Sequence, residues 1–147
     1  MEYIPVGNKN ELDDLLGRES HYRNFTYRYE LPTIELLKSN FDLPDSLYLW
    51  VKDQGKFAGF LSCDRDWWEE DCFFLREIFV DPAQQGKGVG KELINRCIEH
   101  ARANKAHTLV TQTAFENIPM QKLCELFGFQ QRENPQWQEG ITFKLAL

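Results

Sequence analysis

Residues 73–90 read FFLREIFVDPAQQGKGVG, an apolar run closed by Asp81-Pro82 and followed by a glycine-rich segment. The apolar run predicts a β-strand that ends at Asp81-Pro82. Beyond the glycines, apolar residues recur at the spacing of one helix face: Val89, Leu93, Ile94, Cys97, Ile98 and Ala101. The start of such a helix presents unpaired N–H groups and the positive end of its dipole, which favours a bound anion, above all phosphate.

The spacing of the glycines excludes two common phosphate-binding motifs. The nucleotide P-loop requires Ser or Thr after Gly-Lys, whereas Gly86-Lys87 is followed by Gly88. The dinucleotide motif requires two residues between its second and third glycines, whereas Val89 alone separates Gly88 from Gly90. A simple turn would not need three alternate glycines, since each costs conformational entropy.

The remaining pattern, Gln85-x-x-Gly88-x-Gly90 after a strand, closely resembles the coenzyme A signature of the GNAT family of N-acetyltransferases. A downstream block also resembles that family, and its residues are Asn117, Met120, Leu123, Gly128 and Phe129. The two blocks together cover residues 73–129. The resemblance implies an α/β fold with a central mixed, mostly antiparallel sheet flanked by helices, built around a β-α-β core that binds acetyl-CoA.

Length and composition predict one domain spanning residues 1–147, with a hydrophobic fraction of 42% that is sufficient for a single core. The chain contains no apolar run long enough to cross a bilayer, and its N-terminus does not resemble a secretion signal. A cytoplasmic protein without a membrane partner is therefore expected. The net charge of −6 argues against a nucleic-acid partner. A homodimer is compatible with these features.

A small basic group, Lys87, Lys91 and Arg96, lies near the glycines and suits the pyrophosphate and 3′-phosphate of coenzyme A. The four cysteines show no paired spacing typical of metal ligands, so no metal site is predicted. Three of them, Cys63, Cys72 and Cys97, are expected to pack in the core as small hydrophobic residues.

Local patterns predict the other elements. The middle of the chain is expected to form an antiparallel meander of strands at 47–51, 57–63 and 73–80, with a hairpin turn at 53–55. A strand at 108–113 should lie parallel to the third of these, followed by a helix at 119–127 and strands at 129–131 and 141–145. Before the meander, we expect a strand at 3–6, a helix capped by Asn10, and a helix at 32–40.

Two segments allow either a structural or an acceptor-binding interpretation. The aromatic residues of 20–29 either cover a core or line an acceptor site. The acidic segment 64–71 is either a solvated loop or a site for a cationic amine, because carboxylates and indole rings both attract cations. In the second case its binding residues are Asp66, Trp67, Trp68 and Glu69.

The resemblance also implies roles for particular residues. The backbone of Ile78, Phe79 and Val80 would pair with the pantetheine arm of acetyl-CoA, as an added strand does. The pyrophosphate would lie against a loop that consists of Gln85, Gly86, Lys87, Gly88, Val89, Gly90 and Lys91. Asn117 would bind the arm from the other side, and it is also a suitable helix cap before Pro119.

The reaction implied is direct attack of a neutral primary amine on the thioester, which requires a base. Glu77 is the candidate base, and the alternative is a structural carboxylate paired with Arg76 or with another cation. Strand alternation places Glu77 on the face opposite Ile78 and Val80. Many family members use a tyrosine to protonate the leaving thiolate, but Cys124 stands at that position.

Cys124 is therefore a candidate general acid, with a water molecule as the alternative. An acetylated cysteine is a third option, although the motif supplies no histidine to activate it. The favoured function is acetyl transfer to a small-molecule or peptide amine. The alternatives are a regulatory module that binds coenzyme A without turnover, and a nucleotide-binding protein of another fold.

Overall fold

A computed structural model describes residues 1–18, 31–65, 69, 71–135 and 138–147. Its helices and strands are β1 (Glu2–Pro5), α1 (Lys9–Asp13), α2 (Leu31–Phe41), β2 (Leu47–Asp53), β3 (Lys56–Arg65), β4 (Cys72–Val80), α3 (Val89–Ala103), β5 (Thr108–Ala114), α4 (Ile118–Leu126), β6 (Gln130–Arg132) and β7 (Gly140–Ala146). A π-helical turn, Asp14–Arg18, follows α1, and a 3-10 turn, Pro82–Gln84, follows β4.

The described strands form one seven-stranded sheet in the order β1-β2-β3-β4-β5-β7-β6. Strands β4 and β5 are parallel, and the other neighbouring pairs are antiparallel. The predicted mixed, mostly antiparallel sheet is therefore confirmed. The meander and the parallel pair joined through α3 are also where the sequence predicts them.

Each face of the sheet carries its own hydrophobic core. On the α3/α4 face, all six residues of the predicted helix stripe are buried against the sheet, together with Met120 and Cys124 of α4. On the α1/α2 face, Leu12 and Leu37 pack with Phe60 and Phe79 of the sheet. The central strands β3 and β4 are therefore covered on both sides, which explains why they are apolar nearly throughout.

The N-terminal region corrects one detail of the sequence prediction. Helix α1 is capped by Asn8 rather than Asn10, because Asn8 Oδ1 accepts a hydrogen bond from Glu11 N at 2.8 Å. The β2–β3 turn matches the prediction, since Gln54 and Gly55 both have positive φ, as a tight hairpin requires. The aromatic segment 20–29 lies outside the described residues.

Candidate active site

The parallel strands β4 and β5 pair over only part of their length. Their ladder spans four residue pairs and ends where Leu75 lies opposite Thr111. Beyond that point β4 stays paired with β3 as far as Val80, and β5 stays paired with β7 as far as Ala114. The two strands therefore separate, and a gap opens between them towards the carboxyl end of the parallel pair.

A β-bulge in β4 lies at the point where this ladder ends. The register with β3 passes from Cys63 opposite Leu75 to Ser62 opposite Glu77, so Arg76 is the extra residue of the bulge. A bulge of this kind interrupts the alternation of side chains between the two faces of a sheet. Arg76 and Glu77 consequently lie on the same face.

The packing on either side of the bulge shows which face this is. Phe73 and Leu75 before the bulge belong to the α3/α4 core, and so do Ile78 and Val80 after it. Glu77 therefore lies on the α1/α2 face, half-buried and opposite to Ile78, in agreement with strand alternation after the bulge. In a regular strand, residues 75 and 78 would face opposite sides of the sheet, yet both Leu75 and Ile78 are apolar and face the same core. This break in the alternation of apolar residues is the signal in the sequence that indicates a bulge.

The glycine loop follows directly after the carboxyl end of β4. Asp81 Oδ1 accepts from Ala83 N at 3.0 Å and starts the 3-10 turn that leads into the loop. Gly86 and Gly88 both have φ of 84°, a conformation that residues with a Cβ rarely adopt, and Gly88 is the N-cap of α3. A Cβ at either position would meet no other group within 4 Å, so space lies open above the loop.

The third glycine of the motif serves a different purpose. A Cβ at Gly90 would lie 3.1 Å from Leu123 Cδ1, so its absence allows α4 to approach the first turn of α3. Exposed N–H groups of that first turn remain available to a ligand, because the first turn of a helix has no acceptors within the helix. A helix start with free N–H groups and open space above it is the kind of place where phosphate groups commonly bind.

The charged groups around the loop divide into two sets. Lys87 and Lys91 are exposed beside the glycines, and Lys87 Nζ donates to Gln84 Oε1 at 3.2 Å. Arg96, which the sequence grouped with them, donates instead to Glu92 Oε1 at 2.9 Å and lies 4.5 Å from the centre of the Tyr3 ring. The two lysines therefore provide the positive charge at the loop.

Asn117 stands at the β5 side of the gap, at the start of α4. Its Oδ1 accepts from Met120 N at 3.2 Å, so it acts as the predicted helix cap. Its Nδ2 donates to no other described residue, which leaves the amide N–H groups to donate to a ligand. Two large apolar residues close to it in sequence, Phe115 and Ile118, are exposed to solvent over 53% and 49% of their surface.

Cys124 lies inside the protein rather than in the gap. Its side chain is fully buried in the α3/α4 core, next to residues such as Met120 and Leu93. Burial, with a smaller contribution from the negative charge of Glu125, raises the pKa of the Cys124 thiol to about 12. The thiol therefore stays protonated at neutral pH and is a poor nucleophile.

We expect the four cysteines, all free and buried, to be unreactive in the folded protein. A pKa near 12 leaves only about one Cys124 thiolate in 10⁴ at pH 8, and thiolate is the reactive form. Titration with an aromatic disulfide reagent at pH 8 should detect less than one thiol in the native protein and four after unfolding. A thiol in the native protein that reacts within seconds would contradict this placement.

The described residues of the acidic segment 64–71 lie at the end of β3 and before the start of β4, whereas the glycine loop follows the end of β4. Asp64 is fully buried and bound to Arg76, and Asp71 lies 3.6 Å from His107 Nδ1. Glu77 lies six residues after Asp71 along the chain, which corresponds to roughly 20 Å in a strand. Glu69 is exposed, whereas Asp66, Trp67, Trp68 and Glu70 lie outside the described residues. Asp64 is therefore not available to an acceptor.

Sequence reasoning did not anticipate the partner of Asp64. The sequence offers Glu77 as the neighbouring acid for Arg76, and the structure shows that the Arg76 guanidinium binds Asp64 on β3. A buried acid at the end of an apolar strand, opposite a strand with a change of phase, is the pattern that could have indicated this pair.

None of the helices within the described ranges is long and apolar enough to span a membrane.

The fold and the loop together define an α/β protein in which a glycine loop and a helix start follow the carboxyl end of a separated parallel strand pair. The family model described as "Acetyltransferase (GNAT) family" matches residues 11–129. The chain belongs to this family. Its fold agrees with that of the PaiA N-acetyltransferase from Thermoplasma acidophilum, solved in complex with coenzyme A, with a TM-score of 0.72, 15% identity and full coverage of both chains.

Two relatives are similar in sequence over about half of this chain. An uncharacterized N-acetyltransferase of Methanocaldococcus jannaschii is 32% identical over 83 residues, which are 54% of this chain and 37% of the relative. The L-methionine sulfoximine/L-methionine sulfone acetyltransferase of Salmonella typhimurium is 32% identical over 81 residues, 53% of this chain and 47% of the relative. The matched part thus spans less than half the length of either relative.

Proposed function

We propose that this protein transfers an acetyl group from acetyl-CoA to a primary amine by direct attack, without a covalent enzyme intermediate. The observation that carries the proposal is the gap between β4 and β5, which leads at its open end into a glycine loop with two left-handed residues. Coenzyme A has a pyrophosphate, which the start of a helix can bind, and an arm with amide groups, which can pair with the edge of a strand. The loop and the exposed edge of β4 follow one another along the chain, as such a ligand requires.

The residues present fit acetyl-CoA as donor substrate. Its pyrophosphate would accept hydrogen bonds from the backbone N–H groups of residues 85–90, with positive charge from Lys87 and Lys91. Its pantetheine amides would pair with the β4 backbone at Ile78, Phe79 and Val80, which borders the gap. The Nδ2 of Asn117 would donate to the arm from the β5 side.

Glu77 is the base in this proposal. It lies on the α1/α2 face immediately after the bulge, so an amine approaching from that face would meet the carboxylate near the inner end of the gap. The amine nitrogen would attack the thioester carbon and pass a proton to Glu77, directly or through a water molecule. The carbon–sulfur bond would then break, and the sulfur would leave as a thiolate.

The proton for that thiolate comes from water in this proposal rather than from Cys124. The Cys124 pKa of about 12 exceeds that of an ordinary thiol by about three units, so proton transfer from it would be unfavourable. Its full burial also separates it from the gap. An acetyl-cysteine intermediate is disfavoured by the same two properties.

The acceptor class is a primary amine on a small molecule or a peptide N-terminus. The relative from Salmonella typhimurium is named for acetylating amino-acid analogues, and its similarity to this chain motivates including α-amino acids among the candidates. Acidic residues around the acceptor would favour a cationic amine, and Glu77 is one such residue on the acceptor side.

The test is release of free thiol from acetyl-CoA in the presence of an amine panel of amino acids, polyamines and short peptides. We expect release with at least one class and a matching acetylated product by mass spectrometry. Tight coenzyme A binding with no transfer to any acceptor would instead support the regulatory module. That alternative is suggested by Cys124, which stands where many family members have a tyrosine. Binding of ATP or NAD in preference to coenzyme A would contradict both.

We expect Asn117→Ala to weaken coenzyme A binding about three- to tenfold, the loss of one neutral hydrogen bond. It should also destabilise the protein by about 1 kcal/mol through loss of the cap. The matched control is Asn8→Ala, which removes the same type of cap from α1. Calorimetric titration should show weaker binding for the first variant alone, and equal affinities in both would assign Asn117 to capping only.

A further inference from the structure

A buried ionic network lies on the α1/α2 face beside the bulge. Asp64 is fully buried, and both of its carboxylate oxygens accept from Arg76 Nε at 3.1 Å, with Arg76 Nη2 3.0 Å from Oδ1. Asn40 Nδ2 of α2 donates to Asp64 Oδ2 at 3.1 Å. The Arg76 guanidinium also lies 4.1 Å from the centre of the Phe74 ring. Asp64 is thus held by two elements of the fold at once.

The arginine of this network is the extra residue of the bulge. Without the bulge, Ser62 would lie opposite Arg76, and each later residue of β4 would turn to the other face. Glu77 would then point into the α3/α4 core, and Phe79 would lose its stacking on Phe60, whose ring centre is 5.4 Å away. The bulge is therefore what brings Glu77 to the acceptor side.

Two different interactions keep the bulge in place. On its carboxyl side, the stacking of Phe79 on Phe60 and the packing of Val80 hold the later register. On the residue itself, the bond from Arg76 to Asp64 draws the extra side chain to the α1/α2 face. The first interaction involves Phe79 and Val80, whereas the second one involves Arg76, the residue that precedes Glu77.

The same network reaches helix α2, which flanks the acceptor face. Asn40 connects the end of α2 to Asp64, and the Tyr48 hydroxyl donates to Leu37 O of α2 at 2.7 Å. Burial, and secondarily the negative charge of Asp64, raises the pKa of Tyr48, so its hydroxyl remains a donor. Helix α2 and Arg76, the residue before Glu77, are thus both bonded to one buried carboxylate.

We propose that Asp64 and Arg76 are positioning residues that orient Glu77 at the bulge and link it to helix α2. The kinetic part of this inference rests on the proposed acetyl transfer. Buried ion pairs contribute little net stability, because desolvation offsets the attraction between the charges. Precise placement of a reacting group, by contrast, affects rate strongly, and a displacement near 1 Å costs about 10²-fold.

The experiment replaces the pair by apolar residues of similar size, Asp64→Leu with Arg76→Met, which often preserves stability. We expect kcat to fall at least about tenfold, with KM for acetyl-CoA within about twofold because the glycine loop and residues 78–80 keep their supports. Arg76→Lys keeps the charge but loses the two-pronged geometry, so its kcat should lie between those of the wild type and the double variant.

A second readout does not depend on turnover. Amide hydrogen exchange by NMR should become at least about tenfold faster at Arg76 and Glu77 in the double variant, and stay unchanged at Phe79, since protection depends on local opening. The control is Asp45→Asn, which removes the exposed ion pair of Asp45 with Arg65 (2.9 Å). It should leave both kcat and exchange at Glu77 unchanged.

Unchanged kcat and unchanged exchange in the double variant would overturn the inference. Loss of rate accompanied by an equal rise in KM for acetyl-CoA and faster exchange throughout β4 would also overturn it, since that pattern marks general destabilisation. If the wild type transfers no acetyl group to any amine, the proposed function fails. The exchange measurement at Arg76 and Glu77 then still decides whether the pair holds the bulge.

Discussion

Glu77→Gln is expected to lower kcat about 10²-fold or more, the usual contribution of a general base. The amide has nearly the same shape as the carboxylate, but it cannot take a proton from the attacking amine. KM for acetyl-CoA should stay within about twofold, because the donor-binding loop lies beyond the bulge and Glu77 itself is on the opposite face from Ile78. Steady-state kinetics with the best acceptor would measure both quantities.

The pH dependence provides a sharper test of the same role. The rates of the wild type and of the variant should both rise with pH as the amine acceptor loses its proton, and the variant should stay the slower of the two at every pH. The control is Glu99→Gln, which neutralises an exposed carboxylate on the outer side of α3 and should change neither kcat nor the profile. A Glu77→Gln variant with wild-type kcat would remove Glu77 as the base.

Gly88→Ala is expected to raise the dissociation constant for coenzyme A about ten- to hundredfold. At φ of 84° an alanine is strained by about 1–2 kcal/mol, and relief of that strain turns the N–H groups at the start of α3 away from the ligand. Each hydrogen bond lost to a charged phosphate costs about 1.5–3 kcal/mol, which corresponds to the expected weakening. Calorimetric titration measures it directly.

The hairpin glycine provides a matched control for this change. Gly55 has φ of 79°, and a Cβ there also meets no atom within 4 Å, so Gly55→Ala introduces the same backbone strain far from the loop. Both variants should lose similar stability in thermal unfolding, and only Gly88→Ala should lose coenzyme A affinity. Equal, near-wild-type affinities for the two variants would show that phosphate does not bind at the start of α3.

Local pattern was sufficient to predict most of the elements and the conformation of the glycine loop. The stripe of α3 follows a period of 3.6 residues, and the strands of the meander follow short apolar runs between turn residues. The glycine loop was equally predictable, because left-handed backbone at Gly86 and Gly88 is a local property that glycine alone supplies cheaply. These features depend on residues that are neighbours along the chain.

The catalytic side of the site depends on residues that are distant in sequence. The motif alone left Cys124 open as an acid, but packing of α4 against the sheet buries its thiol and raises its pKa. Asp64 of the acidic segment is bound to Arg76, twelve residues further along the chain, whereas the proposed acceptor residues Asp66, Trp67 and Trp68 lie outside the described residues. Desolvation and ion pairing are properties of the assembled core, so no local pattern could predict the surroundings of Cys124 and Asp64.

By itself, the sequence determined the strand, the glycine loop and the helix of residues 73–103, because backbone preference and hydrophobic period act over a few residues. Only the tertiary structure decided where the β4–β5 ladder stops and which face Glu77 occupies. The physical reason is that a bulge forms where the packing of residues before it and after it requires different registers between two strands. Phe79 must reach Phe60 while Leu75 stays in the opposite core, and Arg76 is the residue left over to bind Asp64.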